Sequence, residues 1–89
     1  MTGPWVYPDE LLVGLAALGL APAPSTSPSF VRGVVNDLYR YELRRVRLQL
    51  LRGDVEKSDY HGLVVSLRKR YWMLSLPASA WDTICAPEP

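Results

Sequence analysis

The sequence predicts an all-α fold: a long antiparallel helical hairpin with a shorter N-terminal helix packed across it, three helices in one small domain. Three observations predict it. Apolar residues recur at three- and four-residue spacing through two long runs, 28–52 and 58–74. No proline interrupts either run. Between them the segment "RGDVEKS" opens on Arg52-Gly53, and glycine is the residue best suited to end one helix and turn the chain toward the next. The 89 residues then divide into an arm (1–7), helix one (8–19), a connector (20–27), helix two (28–52), helix three (58–74) and a tail (75–89).

The arm "MTGPWVY" reads as extended chain, with Trp5 and Tyr7 apolar enough to dock on the domain. Pro8 suits the first turn of a helix, where its missing N–H costs nothing, and Asp9 and Glu10 complement the positive helix end. Leu11, Leu12, Leu15 and Leu18 follow at helical spacing, and Gly19 supplies a stop. This helix is apolar on nearly every side, which predicts burial all round. Its apolar run has the length of a signal-peptide core. Yet Asp9 and Glu10 stand where such a peptide carries positive charge, and the run is too short to span a bilayer. It is expected to be a helix of the mature domain.

"APAPSTSP" is a stiff connector ending in a start signal, with Ser27 as N-cap and Pro28 as the first helical residue. Helix two then runs for about 37 Å at 1.5 Å per residue. On it Val31, Val35, Leu38, Tyr39, Leu43, Val46 and Leu50 share one broad arc, which is the expected core face. Arg40, Arg44 and Arg47 share another, and Val34, Tyr41 and Leu48 form a second apolar strip beyond what a two-helix contact uses. Asp37 with Arg40, and Glu42 with Arg45, have the spacing of intrahelical ion pairs.

After Gly53, Val55 is placed to pack under the turn, Ser58 is the expected N-cap of helix three, and Asp59 lies in its first turn. Tyr60, Leu63, Val64, Leu67, Tyr71 and Leu74 make the stripe that should face helix two. A turn this short makes the two helices antiparallel neighbours. In the tail, Ser75 and Pro77 allow at most a short extra turn, with Trp81 and Ile84 folding back on the hairpin.

Charge and composition narrow the function classes. Net charge is +1, so no overall field draws the chain to nucleic acid or membrane. All ten basic residues nevertheless lie between Arg32 and Arg70, against five acids there, a local net of +5. The arginine, alanine, leucine and proline usage points to a GC-rich bacterial genome. The single Cys85 excludes an intramolecular disulfide and points to a reducing cytoplasm. With a single His61 and no Cys-x-x-Cys, a protein-only zinc site would need carboxylates or a second chain.

A DNA-reading helix-turn-helix is disfavoured. The helix before the turn is too long, and the base-reading end of the second helix would be Ser58, Asp59, Tyr60 and His61, where Asp59 and nearby Glu56 repel phosphates. Arg68, Lys69 and Arg70 crowd the other end, where the helix dipole favours cations. "RGD" is accounted for by helix-end capping and not by adhesion. His61 has no partner at catalytic spacing, since Asp59 two residues away points to another side, and no phosphate loop or nucleophile elbow is present.

What remains is a second stripe on helix three, His61, Val65, Arg68 and Trp72, spaced four, three and four apart. On one reading helix one or the Trp81 tail covers this stripe within the monomer. On the other it is an interface, because tryptophan and arginine dominate interface energetics and Arg68 is spaced to stack on Trp72. The expectation is a small, non-catalytic cytoplasmic interaction or assembly module. It would be a homodimer or bind another protein, through His61, Val65, Arg68 and Trp72, with no cofactor, metal, small-molecule ligand or membrane. The alternative is a nucleic-acid-associated protein using Arg40, Arg44 and Arg47.

Overall fold

Two residues bracket the longest element, and both act as their chemistry requires. The Ser27 hydroxyl accepts the Phe30 amide at 3.4 Å, with Pro28 at the first helical position. Gly53 takes φ +80°, a conformation that side chains with a Cβ resist. There the Asp54 amide reaches back to the Gln49 carbonyl at 2.9 Å and the Gly53 amide to Leu50 at 3.1 Å, the paired bonds of a Schellman cap. In this computed structural model, which describes residues 4–87, the elements are α1 (Asp9–Ala16), α2 (Pro28–Leu51), α3 (Lys57–Arg70), a 3-10 turn (Trp72–Ser75) and α4 (Ala78–Cys85). Met1–Gly3 of the expected arm and Glu88–Pro89 of the expected tail lie outside the described residues.

The fold is all-α, and α2 packs against both α3 and α4. The hairpin forms as expected. Four details differ from the sequence reading. Pro8 is the cap of α1 and not its first turn, and the helix ends at Ala16; Gly19, at φ +81°, closes it through a Leu20 amide bond to the Leu15 carbonyl at 2.9 Å. Only one stripe of α1 is buried, Leu11 and Leu15, while Val13 is 71% exposed, so the helix lies on the surface and not within the core. Helix α3 starts one residue before Ser58, with Glu56 at the cap position and no side-chain cap bond. Finally, α3 stops at Arg70, because Tyr71 (φ −102°, ψ 34°) leaves helical geometry, and the next four residues wind tighter.

The largest difference is α4, eight residues where an irregular tail was expected. Pro77 caps it, and Trp81 is fully buried, its indole N–H donating to the Met73 carbonyl at 3.0 Å. Satisfying that polar atom is what allows the ring to be buried whole. Ile84, on the same folded-back helix, is less covered and 40% exposed.

All the buried apolar side chains among the described residues lie at one end. Tyr7, Leu11 and Leu15 meet Val31 and Val35 from the first turns of α2, with Tyr71, Met73, Trp81 and Cys85 closing the cluster. The extended arm is pinned there: the Val6 amide donates to the Cys85 carbonyl at 2.8 Å, and the Trp5 amide to Pro24 at 3.1 Å. The Tyr7 hydroxyl donates to the Thr26 carbonyl at 2.6 Å. Arg32 reaches across to the carbonyls of Leu76 (3.0 Å) and Leu74 (3.3 Å), satisfying the end of the 3-10 turn. The molecule is a rod, 53 × 19 × 18 Å, cored at one end only.

Candidate functional site

The far half of the rod is the hairpin arm, from Asn36 through the Gly53 turn to Arg70. Not one side chain in this stretch is buried. Leu43, Val46, Leu50 and Val64 are only half-covered, and Leu38 and Leu67 are half-covered where they pack against the edge of the core cluster. Two helices alone have two faces to offer each other and no third layer to close over the seam, so partial burial is the geometric result. The expected core arc of α2 is thus a core only at Val31 and Val35. Leu63, expected in the α3 stripe, is 39% exposed.

A polar junction separates the cored end from the arm. The Tyr71 hydroxyl donates to the Glu42 carboxylate, and Arg70 donates to the same carboxylate at 3.4 Å. Arg70 also reaches the Ala17 carbonyl beyond α1, at 3.5 Å. The pairings expected within α2 are replaced: Glu42 takes Arg70 and not Arg45, and among the described residues this is the only ion pair, which leaves Asp37 unpaired with Arg40. The cross-helix contact wins because Glu42 points along the α2–α3 seam, where Tyr71 adds a second donor. Burial, reinforced by the Glu42 bond and charge, pushes the Tyr71 phenol up to about 12. Burial likewise raises Tyr7 to about 12 and, with the nearby Asp82 charge, raises the Cys85 thiol.

The expected interface stripe stays on helix three only through His61, Val65 and Arg68. Its continuity required an unbroken helix through residue 72, and the chain leaves α3 after Arg70. Trp72 instead lies against α1, where a Cβ at Gly14 would come within 3.1 Å of its indole nitrogen. The absence of that carbon is what lets the ring sit there. Arg68 and Trp72 do line one shallow groove, with Tyr39, Tyr71, Leu74 and Ser75. Arg68 does not stack on Trp72; the aromatic pair there is Tyr39 with Tyr71, ring centroids 5.2 Å apart. Val65 is half-buried, and His61 is exposed farther along the arm.

Arg40, Arg44 and Arg47 do come together, lining one exposed groove with Leu43. The spare strip of α2 is also exposed: Tyr41 is 59% and Leu48 43% accessible, and Val34 is half-buried. Sequence reasoning missed its two ends, Phe30 (65% exposed) and Leu51 (75%). The signal was present in the spacing, since Phe30 stands four residues before Val34 and Leu51 three after Leu48. Among the described residues no group of three or more His, Cys, Asp or Glu side chains could hold a metal, and no helix is long and apolar enough to cross a membrane. Compared with known proteins, the chain matches no family model, no curated protein and no solved structure.

Proposed function

We propose that this chain is a small, non-catalytic interaction and assembly module whose working part is the hairpin arm and whose cored end holds that arm in place. One observation carries the reading: thirty-five consecutive residues, 36–70, fold as two helices in which no side chain is more than partly buried, although they include Leu, Val and Tyr along their length. An arm built this way gains several kcal/mol from a partner that covers it, at roughly 25 cal/mol per Å² of apolar surface removed from water. Self-association is the simplest source of such a partner. A reducing compartment fits Cys85, a free, buried thiol whose pKa is raised by its burial.

Light scattering across a dilution series, paired with amide exchange, tests this. We expect the mass of two chains, each 10.0 kDa, and one chain for Leu48→Lys, because a charge on the exposed strip blocks pairing without touching the core. A single chain at every concentration, with arm amides exchanging as slowly as those around Trp81, would mean the arm needs nothing, and the reading would fall.

A second reading has its own observation, the convergence of Arg40, Arg44 and Arg47 on one groove. Non-specific nucleic-acid contact through them predicts retention on heparin that falls steeply with salt. No retention at low salt removes it.

A further inference from the structure

We infer that the arm's partner is a second copy of this chain, laid antiparallel along the outer face of α2, with Asp37 of each copy paired to Arg44 of the other. The inference rests on the assembly reading above and specifies its occupant.

The outer face of α2 has a regular pattern. Phe30, Val34, Asp37, Tyr41, Arg44, Leu48 and Leu51 are spaced four, three, four, three, four and three apart. That alternation is the seam of a two-stranded coiled coil. At 100° per residue these seven side chains fall within an arc of about 100°, on the opposite side of α2 from Val35, Tyr39 and Val46. Six of them are exposed. Val34 is half-covered where the connector residues Leu20, Pro22 and Thr26 line a groove with it and Phe30. From Asp37 to Leu51 each seam residue is exposed among the described residues. It runs for about 32 Å at 1.5 Å per residue.

The charges choose the occupant and the direction. The seam holds five apolar side chains and two charges, one acidic and one basic, seven residues apart. Neither Asp37 nor Arg44 has an ion-pair partner among the described residues. In a parallel pair each would face its own like. A two-fold axis crossing α2 between Tyr39 and Tyr41 reverses the second helix. Each Asp37 then comes within about one residue, roughly 1.5 Å along the axis, of Arg44 on the other copy. The same operation turns Phe30 toward the Leu48–Leu51 end and sets Tyr41 beside the axis. The face is therefore complementary to itself, which is what an isologous dimer requires. Charged residues within such a seam weaken it relative to an all-apolar one and in exchange fix register and orientation.

Charge reversal tests the arrangement, read by sedimentation equilibrium with circular dichroism to follow helicity. Wild type is expected to be a dimer. Asp37→Arg and Arg44→Asp should each be monomeric, because each sets two like-charge contacts across the axis. A mixture of the two variants should recover a mixed dimer, and the double variant should dimerise with itself. If a reversal lowers the helical signal, Asp37→Asn and Arg44→Gln replace it. Loss of two exposed ion pairs should then weaken the dimer roughly two- to thirtyfold. A dimer indifferent to all these changes would overturn this geometry while leaving self-association standing. A monomeric wild type with fast-exchanging arm amides would overturn the second copy as occupant and leave the arm to a different protein.

Discussion

Single side chains divide sharply between the two ends of the rod. Trp81 has no exposed surface and a satisfied indole N–H. Trp81→Ala should therefore cost about 3–5 kcal/mol of unfolding free energy by denaturant titration. Ile84→Ala, three residues on and 40% exposed, should cost well under half of that. Tyr7 and Tyr71 make a pH prediction. Their phenols ordinarily titrate near 10, and folding raises both to about 12. The folded state therefore keeps these protons longer than the unfolded chain does. The resulting stability is complete below about pH 10 and is lost as pH rises toward 12. Urea titrations across that window should show a steep fall, flattened in Tyr71→Phe and Tyr7→Phe. An equal slope in the variants would contradict the assignment.

At the scale of elements, ends matter more than middles. Gly53→Ala should destabilise by about 1–2 kcal/mol, the cost of a left-handed residue that carries a Cβ. Ser27→Ala should cost about 1 kcal/mol through the lost cap. Ser58→Ala is the contrast. Sequence spacing makes Ser58 a cap, but in the structure Glu56 holds that position and Ser58 is exposed within α3, so the change should lie within about 0.5 kcal/mol of wild type. The strong local signals, Ser27-Pro28 and Gly53, were legible because each is a single residue with one conformational use. The break after Arg70 was not. Residues 58–74 keep helical periodicity throughout, and what stops α3 is tertiary: Tyr71 is drawn to Glu42 and Met73 into the core. For the same reason α4 was invisible between its prolines, since eight residues are too few to declare a helix by period. The break takes only Trp72 off the helix that carries His61, Val65 and Arg68, leaving it beside Arg68 in one groove, whereas Arg40, Arg44 and Arg47, inside an uninterrupted helix, stayed together as their spacing required.

For the whole molecule, an uneven distribution of burial implies an uneven distribution of stability. The cored end ties α1, α4, the extended arm and the first turns of α2 into one cluster. The far half of the hairpin relies on half-covered contacts between two helices. A region with few buried contacts opens locally at lower free energy than the core. A partner that binds only the closed arm raises that free energy with its concentration. Hydrogen exchange of wild type at high and low protein concentration therefore tests the central claim most directly. We expect the α2 amides from Asn36 to Leu51 to be protected when concentrated and to lose that protection on dilution, while amides beside Leu15, Val35 and Trp81 exchange at one slow rate throughout. Arm protection equal to that of the core and unchanged by dilution would contradict the account.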